Sequence, residues 1–207
     1  MSTLSQISHH KIIAILRGAH PSDVLKIAEA LYNGGIRILE ITMNSAEPLN
    51  LIKVLSKTFG ESMLIGAGTV LNVETVDQVV EAGASFILSP IANDEIIKAS
   101  KKLGVVSIPG AFTATEIYNA YKSGADIVKV FPANSPSYIR DIAAPLPQIK
   151  LLPTGGINLE NINDYKNAGA FGFGIGSSLV NTKREVNAAY LSKLTVSAKK
   201  FVDTIAD

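Results

Sequence analysis

Short apolar runs rich in β-branched residues alternate with longer amphipathic stretches along the whole chain, and this alternation predicts a strand followed by a helix, eight times over. The runs cover residues 12–17, 37–43, 63–66, 85–89, 105–109, 126–131, 149–153 and 170–176. Their carboxyl ends recur every 20 to 26 residues, room for one strand, one helix and two short loops. Helix boundary signals fall where this frame needs them. Pro21 suits a first helical turn over 22–31, and Gly34-Gly35 closes it. Thr113 and Glu116 have capping-box spacing ahead of 117–122, with Gly124 at the stop. Asn158 is placed to cap a helix over 160–167, which Gly169 ends, and 185–205 reads as the last helix. Pro90, Pro109, Pro132 and Pro153 fall at or just after strand ends, where a hydrogen-bond ladder has to stop.

Strands that alternate with helices pair in parallel, and strands covered on both faces are apolar almost throughout. Eight such units predict a closed (β/α)8 TIM barrel of the α/β class. No linker, low-complexity segment or shift in composition divides the chain, so residues 1–207 read as one domain. With 47% hydrophobic and 18% charged residues, the composition is that of a folded globular protein. A net charge of +1, with no basic block interleaved with aromatics, gives no case for nucleic acid. The absence of cysteine excludes thiol nucleophiles and thiolate metal sites, and the three histidines all lie by residue 20. No metal and no cofactor is expected. The polar residues 1–11 do not resemble a signal peptide, and no run is long enough to span a membrane, which points to the cytoplasm.

Chemistry in such a barrel sits at the carboxyl ends of the strands, so the polar residues that interrupt the apolar runs there matter most. Lys129, between Val128 and Val130, is the sharpest of them. Burial disfavours an ammonium, and a lysine held neutral can attack a ketone to form a Schiff base. The alternative is a lysine that snorkels at the rim or forms a structural ion pair with Glu40. Glu40, between Leu39 and Ile41, reads either as a general acid/base or as a charge partner for Arg17 or Lys129. Arg17 offers a planar fork for a carboxylate or phosphate, or else a rim ion pair. Lys150, near the start of its strand, belongs to the opposite end of the barrel. Gly155-Gly156 and Gly176-Ser177 follow the last two strands, where backbone N–H groups commonly cradle a phosphate. The glycines at 172, 174 and 176 lack the spacing of a dinucleotide fingerprint.

Taken in order, Leu39-Glu40-Ile41-Thr42, Ile65-Gly66-Ala67-Gly68-Thr69-Val70, Ser89-Pro90, Lys129-Val130-Phe131-Pro132 and Pro153-Thr154-Gly155-Gly156 resemble the 2-keto-3-deoxy-6-phosphogluconate (KDPG) aldolase family over nearly the whole chain. That family also includes 4-hydroxy-2-oxoglutarate (KHG) aldolases and 6-phosphogalactonate-type relatives. The resemblance implies a metal-independent class I aldolase, a lyase that releases pyruvate and glyceraldehyde 3-phosphate and is typically a homotrimer. It implies Lys129 as the Schiff-base lysine and Glu40 as the acid/base. Thr69 and Thr154 would then lie by the pyruvyl group and the substrate chain, Pro90 and Phe131 would wall the pocket, and Gly155, Gly156, Gly176 and Ser177 would bind phosphate. Many members carry an arginine after the strand-2 glutamate where this chain has Asn44, and Arg17 is the expected replacement as carboxylate clamp. Met43-Asn44-Ser45 resembles the galactonate type and Thr154 the gluconate type, with KDPG the favoured substrate. Two rivals remain: a phosphate-binding isomerase or epimerase barrel, and a barrel that binds ligand without catalysis.

Overall fold

The computed structural model describes residues 1–206. Its parallel strands are β1 (Ile12–Leu16), β2 (Ile38–Thr42), β3 (Leu64–Gly68), β4 (Phe86–Leu88), β5 (Val106–Ile108), β6 (Gly110–Ala111), β7 (Val128–Val130), β8 (Leu151–Pro153) and β9 (Phe173–Ile175). They run in the orders β5-β4-β3-β2-β1-β9 and β6-β7-β8. Two junctions join these arcs into one ring. Thr154, just after β8, bridges Gly174 of β9. At the other seam β5 continues into β6 through Pro109, whose carbonyl accepts from the Lys129 N–H at 2.9 Å. Proline has no N–H to give, so the ladder breaks at Pro109 although the chain runs on in the same direction. The eight expected strands are therefore present and form a (β/α)8 barrel, with the fifth extending past its expected end at Pro109 to Ala111.

Helices α2 (Pro21–Asn33), α3 (Pro48–Phe59), α4 (Val73–Glu81), α5 (Asp94–Lys102), α6 (Ala114–Lys122), α7 (Pro136–Ala143), α8 (Ile162–Asn167) and α9 (Ala188–Ile205) cover the outside. Pro21 opens α2, and the Thr113–Glu116 capping box opens α6, as the sequence predicts. Asn158 does not cap α8. Its side chain accepts from the Glu160 and Asn161 N–H groups and closes a short turn ahead of the helix, which begins only at Ile162. The last helix starts three residues later than expected because Asn187 caps it through the Tyr190 N–H.

A helix that the sequence reading missed precedes the barrel: α1 (Thr3–His10). Ser2 caps it, and its one buried residue, Ile7, packs with Ile13, Ile38, Leu64, Phe86 and Ile127 inside the ring. These residues lie toward the amino ends of their strands, so α1 closes the bottom of the barrel. A second and larger apolar layer lies between the strands and the outer helices.

Inside the barrel, alternate residues of each strand point to the axis. On β3 these are Leu64, Gly66 and Gly68. The sequence reading ended this strand at Gly66, yet it continues to Gly68, because here glycine marks close approach rather than a turn. A Cβ on Gly66 would strike the Phe86 ring, and one on Gly68 would strike the Glu40 carboxylate. Gly66→Ala is thus expected to destabilise the fold by about 1–3 kcal/mol through overpacking. The check is a lower urea midpoint with an unchanged m-value.

Candidate active site

Lys129 and Glu40 project into the upper half of the ring. Their strands, β7 and β2, sit on opposite walls, so two residues far apart in sequence face each other across the interior. Glu40 is 0% exposed and Lys129 4%. They do not hydrogen-bond: both Glu40 carboxylate oxygens lack a partner among the described residues. Burial pushes the Glu40 pKa up, opposed by the positive charges of Lys129 and Arg17. Burial pushes the Lys129 pKa down, Glu40 partly offsets this, and Arg17 adds to it. Each group is therefore shifted toward its neutral form, as a nucleophilic amine and a proton-carrying acid require. The Lys129 ammonium position lies 4.9 Å from the Phe131 ring centroid.

A cavity of about 820 Å³ opens at the carboxyl ends of the strands, and neither Lys129 nor Glu40 lines it. Of the residues singled out in the sequence, Arg17, Phe131, Thr154, Gly155, Gly156, Gly176 and Ser177 line it. Gly155 and Gly156 both have positive φ, +90° and +79°, a backbone that non-glycine residues rarely adopt. Asn161 fixes their turn by donating to the Gly156 carbonyl at 2.9 Å, and Ser178 ties the next loop to it through the Ile157 carbonyl. Gly174 leaves space for Thr154, whose Oγ1 a Cβ there would strike. Thr69 and Pro90 sit on the same face, after β3 and β4, but do not line the cavity. Thr69 adopts φ +60°, unusual for a β-branched residue, and such strain, of about 1–3 kcal/mol, concentrates at functional sites. Lys150 lies at the opposite end, with its ammonium 5.8 Å from the Phe171 ring centroid.

Arg17, expected as the last residue of the first strand, lies just past it, since β1 ends at Leu16. Its backbone is held on both sides. The Gly18 N–H donates to Ser45 Oγ at 2.9 Å, and Thr182 Oγ1 donates to the Arg17 carbonyl at 2.8 Å. Asn44 is exposed and away from this cavity. Sequence reasoning stopped at Ser177 and missed Asn181, Thr182 and Lys183, which also line the cavity. The available signal was a polar loop directly after the last strand, on the catalytic face. Among the described residues, no group of three or more His, Cys, Asp or Glu side chains is placed to hold a metal. Nor is any helix there long and apolar enough to cross a membrane.

The family model described as KDPG and KHG aldolase matches residues 4–194. The chain is 36% identical over 178 residues to the 2-dehydro-3-deoxy-6-phosphogalactonate aldolase of Escherichia coli, covering 84% of this chain and 87% of that one. It is 37% identical over 158 residues to the 2-dehydro-3-deoxy-phosphogluconate aldolase of Pseudomonas aeruginosa, covering 75% and 71%. Among solved structures it resembles the KDPG aldolase of Legionella pneumophila with pyruvate captured as a covalent carbinolamine. There the TM-score is 0.84 and the identity 30%, over 96% of this chain and 97% of that one. With a barrel whose buried lysine and glutamate face each other across the interior, and with matches spanning nearly its full length, this chain belongs to the KDPG and KHG aldolase family.

Proposed function

We propose that this protein is a class I aldolase that cleaves KDPG to pyruvate and D-glyceraldehyde 3-phosphate through a Schiff base on Lys129. The observation that carries the reading is a lysine 4% exposed inside the barrel, its pKa lowered by burial, beside a partnerless buried glutamate. The neutral amine adds to the C2 ketone, and as water leaves, Glu40 gives up its proton, so that a protonated imine stands beside an ionised Glu40 carboxylate. As the C4 hydroxyl loses its proton to Glu40, directly or through a water, the C3–C4 bond breaks. Its electron pair moves into the imine as an enamine, and the aldehyde leaves. Glu40 returns the proton to C3, and hydrolysis of the imine frees pyruvate and Lys129. Thr69, Pro90, Phe131 and Thr154 shape the reacting end in this reading. Gly155, Gly156, Gly176 and Ser177 hold the phosphate with fixed donors, so that binding energy far from the breaking bond orients the reacting end.

The C4 epimer, the 6-phosphogalactonate substrate, is the second reading, favoured by Met43-Asn44-Ser45 and by the match to the E. coli galactonate enzyme. Comparing kcat/KM for the two epimers, and for 4-hydroxy-2-oxoglutarate, assigns the preference. A homotrimer fits the exposed Leu71, Ile91 and Phe112, which follow three neighbouring strands on one face.

Borohydride reduction with pyruvate, followed by peptide mass spectrometry, tests the chemistry. One reduced pyruvate on the peptide containing Lys129 is the expected result. A folded protein that gives no adduct would return the isomerase or ligand-binding barrel to first place. Arg17, as carboxylate clamp, makes a further prediction. Arg17→Ala should raise KM about 10–100-fold, the loss of one charge-assisted pair, while Lys129 can still be trapped at high pyruvate. Unchanged kinetics would remove Arg17 from the clamp.

A further inference from the structure

The cavity at the carboxyl ends of the strands is lined by two cations, Arg17 and Lys183, and by no acid. Arg17 belongs to the reacting end, since its charge acts on both Glu40 and Lys129. Lys183 has no role in the reaction described above. It lies after the last strand, on the loop that follows Gly176 and Ser177, and faces the same cavity as Gly155 and Gly156. Among the described residues it makes no ion pair, so its charge is not spent on a neighbouring carboxylate.

The loop that carries it is built rather than loose. The Lys183 N–H donates to Asn181 Oδ1 at 3.1 Å, Tyr190 donates to the Asn181 carbonyl at 3.2 Å, and Thr182 is latched to the Arg17 carbonyl. Backbone N–H donors in the glycine turns supply direction but only partial charge, whereas a phosphate ester is close to a dianion at neutral pH. Lys183 is exposed on this anchored backbone, and its ammonium carries the full charge that the N–H donors lack.

We propose that Lys183 is a specificity-determining residue that selects substrates with a dianionic group at the distal end, held over the glycine cradle by the Thr182–Arg17 hydrogen bond. The proposal rests on the aldolase reading for its substrate but not for its anion. Thr182 is a positioning residue here: it fixes the loop and does not touch the ligand.

Two measurements test it. The first compares kcat/KM for the 6-phosphorylated 2-keto-3-deoxyhexonate with that for the same compound lacking phosphate. Lys183→Ala should lower the ratio at least about tenfold, Lys183→Arg should restore most of it, and Thr182→Val should lower it less, with Thr182→Ser recovering it. The second is calorimetric binding of glycerol 3-phosphate, which needs no Schiff base. Its Kd should weaken about tenfold in Lys183→Ala and recover in Lys183→Arg. A parallel loss for both substrates, or an unaltered Kd for glycerol 3-phosphate, overturns the assignment of Lys183. Failure to trap pyruvate on the unmodified protein would instead overturn the aldolase reading, while the calorimetric result still decides on Lys183.

Discussion

Lys129→Met is expected to lower kcat/KM for aldol cleavage by about four orders of magnitude or more and to abolish borohydride trapping of pyruvate. Without the amine there is no imine to accept the electrons of the C3–C4 bond, and a bare carbanion would have to form. At about 1.4 kcal/mol per decade, that loss corresponds to at least about 5 kcal/mol of barrier. The same variant should be no less stable than the parent. Burial depresses the folded-state pKa of Lys129 below its ordinary value of 10.5. Between those two values the unfolded chain holds the proton more tightly, so the parent gains stability as pH rises through that window. At lower pH, where both states are protonated, the buried ammonium costs the most, and methionine removes that cost. The expected signature is thus loss of activity without loss of fold, read by denaturant unfolding beside the trapping assay. Retained trapping on another lysine would move the nucleophile elsewhere.

Glu40→Gln carries the second largest effect, a fall in kcat of about 10²–10⁴, the usual contribution of a positioned acid/base. Pyruvate should still be trapped on Lys129, because the nucleophile remains. The pH dependence of trapping adds an independent reading. Ionised Glu40 raises the Lys129 pKa, so its removal should move the rising, acid-side limb of imine formation to lower pH. Full turnover in Glu40→Gln would assign the proton transfer to another group. Stability again runs opposite to activity. The folded pKa of Glu40 lies above its ordinary value of 4.5, so the parent loses stability as pH rises from 4.5 through the raised value. Glu40→Leu removes a buried carboxylate whose two oxygens have no partner among the described residues. Its stability advantage should therefore grow above pH 4.5 and level off once Glu40 is ionised in both states.

Lys129 and Glu40 illustrate how a site can be legible before its geometry is known. Each is a charged residue at the centre of an apolar, β-branched run, where solvation alone would not put it. The paired glycines after the seventh run, Gly155 and Gly156, were also visible, because positive φ favours that residue type wherever the fold places it. Thr182 and Lys183 had no such mark. A polar residue in a polar loop carries no local conflict, and only the closure of β9 beside β1 brings residue 182 against the carbonyl of residue 17.

The same division holds for the fold. The sequence alone determined the eight strand–helix units, most of their boundaries and the residue types at the strand ends, because period, capping and proline act over a few residues. The tertiary structure decided what depends on partners distant in sequence. One case is α1, whose single buried side chain, Ile7, finds its place only once the ring exists. Another is the fifth strand, which passes Pro109 because its neighbours hold it straight. Gly66 and Gly68 are strand residues for a related reason: Phe86 and Glu40 need the space. So too the opposition of Lys129 and Glu40 follows from closing the ring, which puts β2 and β7 on facing walls and buries both side chains.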